Sequence, residues 1–362
     1  MYKRQILSRR GPVLKTEGNF NNGIGLPLTL LRMTPQDQVV VLEMGISQPG
    51  EMKRLCDIAK PTVGLITNIG PAHLEFLGDM AGVAMEKQVL FESIPVDGAV
   101  IINQDDPYLA TWTGEVRETW TYAVEKDADL TATEITQDSV GTVFTLQLNR
   151  HNEGGGGKQK IILSLLGAHQ VYNAMAASAA ALALCCQFDD IRDGLRNMRP
   201  VSLRGEVIEA GGATIFLDAY NANPESIKSA LQTLAFSFGG SIGHRMADTL
   251  AAPVGRRKIA ILGDMLELGE ATKKSHIDIG RMVVQYGIDR LIAVGKWSAF
   301  VAQGAREKGM PKEAISTYKN LQEINLRHEI QQGDIVLVKG SRGMGMERAL
   351  DPFRKNAGAD AV

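Results

Sequence analysis

The stretch IAILGDMLELGEATKKSHIDIGRMVVQYGIDRLIAV, residues 259–294, holds two short apolar runs on either side of a helical pattern. Ile259–Leu262 and Leu291–Val294 are apolar at every position, which is typical of strands buried on both faces of a parallel sheet. Thr272–Tyr286, between them, has the apolar spacing of an amphipathic helix. The stretch therefore predicts a strand, a crossover helix and a second, parallel strand.

Similar patterns recur in both halves of the chain. Further short apolar runs that end in small or polar residues are Val39–Leu42, Val63–Ile66, Ala99–Ile102 and Ile335–Val338. Helical patterns between several of these runs are Met80–Ser93, Pro224–Phe236 and Lys296–Lys308. Because strands and helices alternate along the sequence, we predict the α/β class, with parallel sheets.

Residues 120–165 interrupt this alternation. Thr142–Leu146 and Ile161–Leu163 have the composition of strands, and they flank the glycine run Gly154–Gly157. We expect a small antiparallel excursion here, with the glycines at a hairpin tip.

The middle of the chain contains a predicted boundary. An alanine-rich helix over about 170–186 is followed by a shorter helix that ends near Arg199-Pro200, where the proline suggests a hinge. We expect two domains, residues 1–200 and 201–362. The mixed polarity and glycines of Phe238–Arg257 predict an exposed loop in the second domain.

Charge and composition exclude several classes of protein. The 362 residues contain 39 Lys+Arg and 41 Asp+Glu, so the net charge of -2 gives no broad positive field for nucleic acid. The longest nearly apolar run, Ala174–Cys186, is shorter than the roughly 18 residues of a membrane-spanning helix. The three cysteines lack ligand-like spacing and suit a reducing compartment. We expect a cytoplasmic protein that binds no nucleic acid and inserts into no membrane.

Polar side chains follow two predicted strands of the first half. Glu43 follows Val39–Leu42, while Asn68 and His73 follow Val63–Ile66. Because ligands bind outside the carboxyl ends of parallel strands, we expect both groups at the same edge of one sheet. A carboxylate and an imidazole there can hold a divalent cation such as Mg²⁺, which takes few protein ligands in phosphate chemistry. The alternative is an ordinary strand-end carboxylate and a loop histidine that forms hydrogen bonds.

Two turns of the second half have the composition of ligand-binding turns. Asn221 and Asn223 lie between an apolar run and a predicted helix, where their amides either contact a purine or cap the helix. The turn Lys339–Arg342 combines two cations, a hydroxyl and main-chain N–H groups before the last helix, and forms either an anion site or a solvated turn.

The standard nucleotide-binding loops are missing from this sequence. Gly154–Lys158 is followed by Gln159, and Gly295-Lys296 by Trp297, so neither forms a G-x-x-x-x-G-K-[ST] phosphate loop. Gly340–Gly345 lacks the spacing of the dinucleotide-binding turn, which argues against a nicotinamide dehydrogenase.

Six ordered segments, spread from about residue 13 to the C-terminus, resemble the Mur ligases. They are Thr16–Leu31, Val41–Gly45, Thr67–Glu75, Tyr220–Pro224, Gly263–Gly269 and Lys339–Arg342. The resemblance implies a central ATPase domain followed by a Rossmann-like C-terminal domain. It begins after the position of the family's phosphate loop, so we expect this chain to lack the UDP-sugar domain, that loop and the first strand of the central sheet.

The resemblance implies an ATP-dependent amide ligase that uses Mg²⁺, and we expect it to act as a monomer. The implied substrates are UDP-N-acetylmuramoyl-tripeptide and D-alanyl-D-alanine, joined through an acyl-phosphate in the synthesis of peptidoglycan precursors. Without a phosphate loop, we expect the 362-residue chain alone to be inactive. Two alternatives stay open: a non-catalytic binding protein of the same shape, and a related amide ligase such as one that extends folate with glutamate.

The resemblance also assigns roles to individual residues. Positions that match the family's metal centre are Glu43, His73 and Lys87, the last being a lysine that the family carbamylates. Positions expected to contact the nucleotide are Asn19, Asn22, Asn68, Arg204, Asn221 and Asn223. Positions expected to receive the incoming dipeptide are Asp264, Lys339, Ser341 and Arg342. Since a lysine must lose its proton before it takes up CO₂, burial or a nearby metal should lower the pKa of Lys87.

Overall fold

The computed structural model describes residues 2–114, 118–137, 141–150, 157–198, 202–236, 256–266 and 268–354. The chain forms two compact units. Unit 1 comprises residues 1–136, 141–164 and 168–198, and unit 2 comprises residues 137–140, 165–167 and 199–362. The hinge predicted at Arg199-Pro200 lies outside the described residues, and the domain boundary near residue 200 stays a prediction.

Unit 1 contains a six-stranded sheet, a separate pair of strands, and helices. The sheet order is β3 (Val63–Leu65), β4 (Ala99–Asn103), β5 (Glu118–Ala123), β6 (Leu130–Gln137), β7 (Thr142–Leu148) and β8 (Lys158–Leu163). The separate parallel pair consists of β1 (Val13–Lys15) and β2 (Val39–Val41). The helices are α1 (Tyr2–Leu7), α2 (Gly25–Leu30), α3 (Glu51–Ala59), α4 (Leu74–Leu77), α5 (Met80–Glu92), α6 (Ala168–Ala183) and α7 (Phe188–Arg196).

The antiparallel excursion predicted over residues 120–165 is only partly correct. β7 and β8 pair in antiparallel fashion, as expected. β5, however, extends the sheet in parallel, with β4 on one side and β6 on the other. All five residues of β4 are buried, so its main-chain groups need a strand partner on each side, and β5 provides one of them. Residues 154–156 of the predicted hairpin tip lie outside the described residues.

The prediction that β2 and β3 belong to one sheet is wrong. β2 pairs with β1 over three residues, and no ladder among the described strands joins either of them to β3. The segments that follow β2 and β3 nevertheless pack into one hydrophobic cluster, which contains Ile66 and Ile69 and is contacted by Leu42 and Met44. Hydrophobic packing, rather than main-chain hydrogen bonding, therefore brings the ends of the two strands to the same core.

Unit 2 contains a second six-stranded sheet. Its order is β13 (Ile315–Tyr318), β12 (Arg290–Val294), β11 (Lys258–Gly263), β14 (Ile335–Lys339), β10 (Ala213–Asp218) and β9 (Glu206–Ala210). All pairs are parallel except that of the edge strand β9 with β10. The helices are α8 (Pro224–Phe236), α9 (Thr272–Gln285), α10 (Ser298–Glu307), α11 (Leu326–Glu329) and α12 (Asp351–Arg354). The α/β class and the strand–helix–strand unit of residues 259–294 are thus confirmed.

Close helix packing supports this second sheet. Gly280 of α9 faces α10, and a Cβ at this position would overlap the main-chain carbonyl of Val301. Glycine is therefore required for the distance at which α9 and α10 pack. Residues 237–255, which hold most of the loop predicted over Phe238–Arg257, lie outside the described part. In the described residues, no helix has both the length and the apolar character needed to cross a membrane.

Candidate functional site

The segment before α2 lies beside Glu43. The exposed Glu43 carboxylate accepts a hydrogen bond at 3.0 Å from Nδ2 of Asn21. The Gly45 main-chain N–H donates to the carbonyl of Asn21 at 2.8 Å, and a Cβ at Gly45 would lie 2.8 Å from the Asn21 side chain. Asn22 accepts hydrogen bonds from main-chain N–H groups at the start of α2, while Asn19 is exposed. The asparagine segment and Glu43 thus form one polar surface.

The loop that follows β3 is held by side chains from neighbouring strands. The carbonyl of Thr67 accepts hydrogen bonds from Nδ2 of Asn103 at 3.0 Å and from the Tyr122 hydroxyl at 3.3 Å. The Ile69 main-chain N–H donates to Oδ2 of the buried Asp106 at 2.7 Å. These contacts fix the main chain on both sides of the exposed Asn68.

Lys87 lies on α5 and reaches this same loop. Its Nζ donates to the main-chain carbonyl of Asn68 at 3.1 Å. Burial lowers the pKa of Lys87, and the negative charge of Asp106 acts in the opposite direction. The pKa lies below its ordinary value, which favours the neutral amine that reacts with CO₂.

The preceding residue connects α5 to α3. Glu86 is 8% exposed, and its two carboxylate oxygens accept hydrogen bonds from the main-chain N–H groups of Gly50 at 2.9 Å and Met52 at 2.8 Å. These N–H groups belong to the first turn of α3, where a helix leaves donors without internal partners. Glu86 therefore fixes the segment of α5 that carries Lys87.

His73 immediately precedes α4 in a left-handed backbone conformation, with φ of 54°. Hydrogen bonds from the main-chain N–H groups of Ser47 and Gln48 lower the pKa of Glu51, and the charge of His73 adds to this effect. His73 lies in the same unit as Glu43 and Lys87.

The donor set of unit 1 suits a partly coordinated Mg²⁺. Among the described residues, no three His, Cys, Asp or Glu side chains converge as a complete metal site. Glu43 offers carboxylate oxygens, His73 offers a nitrogen, and Lys87 would add an anionic oxygen group if carbamylated. Mg²⁺ bound with phosphates commonly takes one or two protein ligands and completes its shell with phosphate and water oxygens. The chemistry of these donors suits this kind of site, but no hydrogen bond among the described residues joins Glu43, His73 or Lys87 to one another, so their convergence on one ion stays a prediction.

In unit 2, a buried ion pair holds the turn that follows β10. Lys339, at the end of β14, is 1% exposed, and its ammonium donates to Oδ2 of Asp218 at 2.6 Å and to the carbonyl of Asn221 at 2.9 Å. Burial lowers the pKa of Lys339, while Asp218 opposes that shift. These contacts engage the ammonium of Lys339 with protein partners, and its expected role towards the dipeptide stays a prediction.

The two asparagines of this turn differ in their contacts. Asn223 accepts a hydrogen bond from the Ser226 main-chain N–H at 2.8 Å and donates its own N–H to the Ser226 hydroxyl at 3.0 Å, just before Pro224 opens α8. These are the contacts of a helix N-cap. Asn221 is exposed, and its side-chain oxygen accepts the N–H of Ala222. Asn221 is therefore the more accessible of the two amides.

Arg204 lies beside the same turn. Its guanidinium carbon is 4.0 Å from the centroid of the Tyr220 ring, a cation–π arrangement, and the side chain remains exposed. The main-chain N–H of Tyr220 donates to the carbonyl of Leu203 at 3.0 Å. Arg204, Tyr220 and Asn221 thus lie at one end of β10.

The other residues expected to receive the dipeptide have unequal accessibility. Asp264 is 5% exposed and accepts the main-chain N–H groups of Lys296 at 2.8 Å and Trp297 at 3.0 Å. Ser341 is 3% exposed and accepts the N–H of Leu266 at 2.9 Å. The Arg342 side chain is 56% exposed and forms an ion pair with Glu347 at 2.7 Å. Asp264 and Ser341 therefore shape the turns, and Arg342 is the accessible member of the set.

The residues that position the β3 loop were not predicted from the sequence. Asn103 and Asp106 belong to the segment Asn103–Asp106, which directly follows the apolar run of β4. Polar residues at the carboxyl end of a buried parallel strand are a usable signal. Tyr122 alternates with Trp120 in β5 and carried no such signal.

Comparisons with known proteins agree with this architecture. The model of the Mur ligase middle domain matches residues 1–181, and that of the Mur ligase, glutamate ligase domain matches residues 203–342. The chain is 34% identical to the UDP-N-acetylmuramoyl-tripeptide--D-alanyl-D-alanine ligase of Escherichia coli (strain K12), over 97% of this chain and 73% of that protein. It is 35% identical to the ligase of the same name from Bacillus subtilis (strain 168), over 94% of this chain and 70% of that protein.

Solved structures give the same result. MurF from Acinetobacter baumannii matches with a TM-score of 0.82 and 29% identity, over 98% of this chain and 73% of that one. MurF ligase from Thermotoga maritima, in complex with ADP, matches with a TM-score of 0.82 and 25% identity, over 99% of this chain and 77% of that one. Since both family models match in order and the relatives are covered over more than two thirds of their length, this chain belongs to the Mur ligase family.

Proposed function

We propose that this chain belongs to an ATP-dependent ligase that joins D-alanyl-D-alanine to UDP-N-acetylmuramoyl-tripeptide. The observation that carries the proposal is the identity of 34% and 35% with the E. coli and B. subtilis ligases of that name, over 97% and 94% of this chain. The family match alone would leave the substrates open, because a fold hosts more than one function.

The reaction requires activation of a carboxylate. The γ-phosphoryl group of ATP is transferred to a carboxylate oxygen of the tripeptide, which gives an acyl-phosphate and ADP. The amine of D-alanyl-D-alanine then attacks the carbonyl carbon, loses a proton and displaces phosphate as the amide forms. Catalysis of phosphoryl transfer depends on positioning and on neutralising charge rather than on covalent chemistry by the protein.

Unit 1 contains the residues that we assign to the phosphates. Glu43 and His73 would hold Mg²⁺ together with the carbamate of Lys87, and the metal would neutralise phosphate charge when bound. Glu86 and the carbonyl of Asn68 position Lys87 for this role. Residues assigned to the nucleotide in this unit are Asn19, Asn22 and Asn68.

Unit 2 contains the residues that we assign to the base and to the amine substrate. Asn221 would contact adenine, with Asn223 fixing the turn and Arg204 reaching the nucleotide. The amine substrate would bind at the carboxyl ends of β11 and β14, where Arg342 is accessible and Asp264, Lys339 and Ser341 set the shape of the turns.

We also propose an organisation for the protein. Residues 1–200 would act as the ATPase domain and residues 201–362 as the ligase domain, in a cytoplasmic monomer. The three cysteines of the sequence are free thiols, with Cys56 and Cys186 buried and Cys185 exposed, which supports a reducing compartment.

The experiment that tests the function joins this chain to parts of a relative. A fusion of this chain to the UDP-sugar domain and phosphate loop of the E. coli relative should release phosphate from ATP only when both UDP-N-acetylmuramoyl-tripeptide and D-alanyl-D-alanine are present. Replacing D-alanyl-D-alanine with glutamate tests the folate-type alternative. Phosphate release that needs glutamate, or no release with any amine, would contradict the proposal, and the latter would favour a non-catalytic binding protein.

Lys87 provides a second test in the same fusion. Lys87→Ala should abolish phosphate release, and short carboxylic acids should restore part of it by replacing the carbamate. Lys53→Ala is the matched control, because Lys53 is an exposed lysine of α3 that pairs with Asp57. Full activity of Lys87→Ala without added acid would refute the role of Lys87.

A further inference from the structure

The carboxyl ends of four neighbouring strands of unit 2 meet along one edge of the sheet, in the order β12, β11, β14 and β10. Asp264 follows β11 and is 5% exposed. Lys339 is the last residue of β14 and is 1% exposed, and Ser341, just after β14, is 3% exposed. Their polar atoms are engaged by protein partners. These three residues therefore have little capacity for direct contact with a ligand, so the residues that bind the incoming amine substrate must lie elsewhere on this edge.

Two exposed cations stand in the turns after β14 and β12. Arg342 already forms an ion pair with Glu347 at 2.7 Å. Lys296 forms no ion pair among the described residues, and its Nζ lies 5.2 Å from the centroid of the Trp297 ring. Of these two cations, Lys296 is the one whose charge remains available to an anion. Arg204, a third exposed cation on this edge, lies over the Tyr220 ring at the end of β10 and is assigned to the nucleotide.

Asp264 fixes the position of this lysine relative to the turn after β14. Its Oδ2 accepts the main-chain N–H of Lys296 at 2.8 Å, and its main-chain carbonyl accepts the N–H of Ser341 at 3.1 Å. One buried residue thus joins the two turns. The Lys296 turn is an ordered part of the same edge as Ser341 and Arg342.

Apolar groups accompany the free cation. Trp297 is half-buried, and its ring stacks with that of the buried His276 at a centroid distance of 6.0 Å. His276 in turn accepts the main-chain N–H of Met265 at 3.1 Å, and the next residue, Leu266, is 45% exposed. An ammonium group, an indole ring and an exposed leucine therefore belong to this edge.

We propose that Lys296 and Trp297 recognise the incoming dipeptide, with the ammonium of Lys296 paired to its C-terminal carboxylate and the indole of Trp297 packed against its methyl groups. D-alanyl-D-alanine has one carboxylate and two methyl side groups, which one cation beside an apolar ring complements. The proposal rests on the proposed function and deepens it, because neither residue matched a motif of the family.

The tryptophans of the sequence allow a direct test on the 362-residue protein. Trp112 and Trp120 lie in unit 1, and Trp297 is the third. Three indole N–H signals are expected in a ¹H–¹⁵N NMR spectrum, and Trp297→Phe assigns one of them to Trp297. Titration with D-alanyl-D-alanine should shift the Trp297 signal and leave the other two in place.

Variants and ligand analogues test the charge contact. Lys296→Met should weaken the apparent affinity about tenfold or more, and a dipeptide amidated at its C-terminus should lose as much against the unchanged protein. Lys308→Met is the matched control, because Lys308 is an exposed lysine at the opposite end of α10 and should leave the affinity unchanged.

Three results would overturn the proposal. The first is a Trp297 signal that D-alanyl-D-alanine does not shift at any concentration up to tens of millimolar. The second is equal affinity of Lys296→Met and the unchanged protein for the dipeptide. The third is a Trp297 signal that ADP shifts while the dipeptide does not. The proposed function fails by a different readout, namely the absence of phosphate release by the fusion with both substrates. A fusion that is active but insensitive to Lys296→Met would retain the function and reject this recognition face.

Discussion

Replacing Lys339 with methionine removes the ammonium that holds Asp218 and the carbonyl of Asn221, while a side chain of similar length keeps the apolar packing. Lys339 is 1% exposed, whereas the side chain of Asp218 is 23% exposed. Removing one partner of a fully buried pair costs about 3–5 kcal/mol, because the remaining charge is left uncompensated. Since water reaches part of Asp218, we expect a loss at the lower end, about 3 kcal/mol in the free energy of unfolding of unit 2.

A double variant separates the charge effect from packing. Asp218→Asn combined with Lys339→Met removes both charges, so we expect it to be more stable than Lys339→Met alone by about 1–2 kcal/mol. Native-state hydrogen exchange of the β10 and β14 main-chain amides measures the stability of this sheet directly. A loss below about 1 kcal/mol in Lys339→Met, or a double variant less stable than the single one, would refute the view that this pair holds the turn.

Three further changes test other parts of the structure. Burial lowers the pKa of His276, while hydrogen bonding to Thr272 and the charge of Asp264 oppose the shift. The unfolded chain therefore binds more protons, and the free energy of unfolding should fall as pH decreases below about 6.5, by at most about 1.4 kcal/mol per pH unit. Urea unfolding should show this slope and His276→Gln should lack it, whereas an equal slope in both proteins would be contrary evidence. Asp106 accepts a hydrogen bond from the main-chain N–H of Ile69 at 2.7 Å, so Asp106→Ala should speed hydrogen exchange of that amide by about tenfold or more. Unchanged exchange would show that the β3 loop does not depend on Asp106. Gly280→Ala should lower the stability of unit 2 by about 1–3 kcal/mol through overlap between α9 and α10, and a thermal midpoint equal to that of the unchanged protein would show that the helices separate freely.

The strands were predictable from sequence because they are buried on both faces. β4, β11 and β14 are buried at every position, so their continuous apolar runs carry the signal without help from distant contacts. The relation of β2 to β3 was not predictable, since three-residue strands contain too little pattern to specify which ladder they join. β5 was assigned to an antiparallel excursion for a similar reason: its alternation is compatible with either direction of pairing.

The candidate site shows a comparable division. The residues that match family motifs could be named from sequence, because those motifs are local. Their accessibility could not, since the burial of Lys339 depends on Asp218, which is distant in sequence and adjacent in the sheet. Asp106 was missed for the same reason, because the loop that it holds is 37 residues away. Local sequence patterns indicate which residues are candidates for the site, whereas the pairing of strands decides which of those side chains remain accessible to a ligand.

Uptake of CO₂ by Lys87 is the most direct test of the proposed metal centre. ¹³C NMR of the 362-residue protein equilibrated with ¹³C-labelled bicarbonate should show a carbamate carbon signal, and MgCl₂ should increase it. The signal should be absent from Lys87→Ala and present in Lys53→Ala. A protein without this signal, or a signal that persists in Lys87→Ala, would contradict the assignment of Lys87 as the anionic partner of Glu43 and His73.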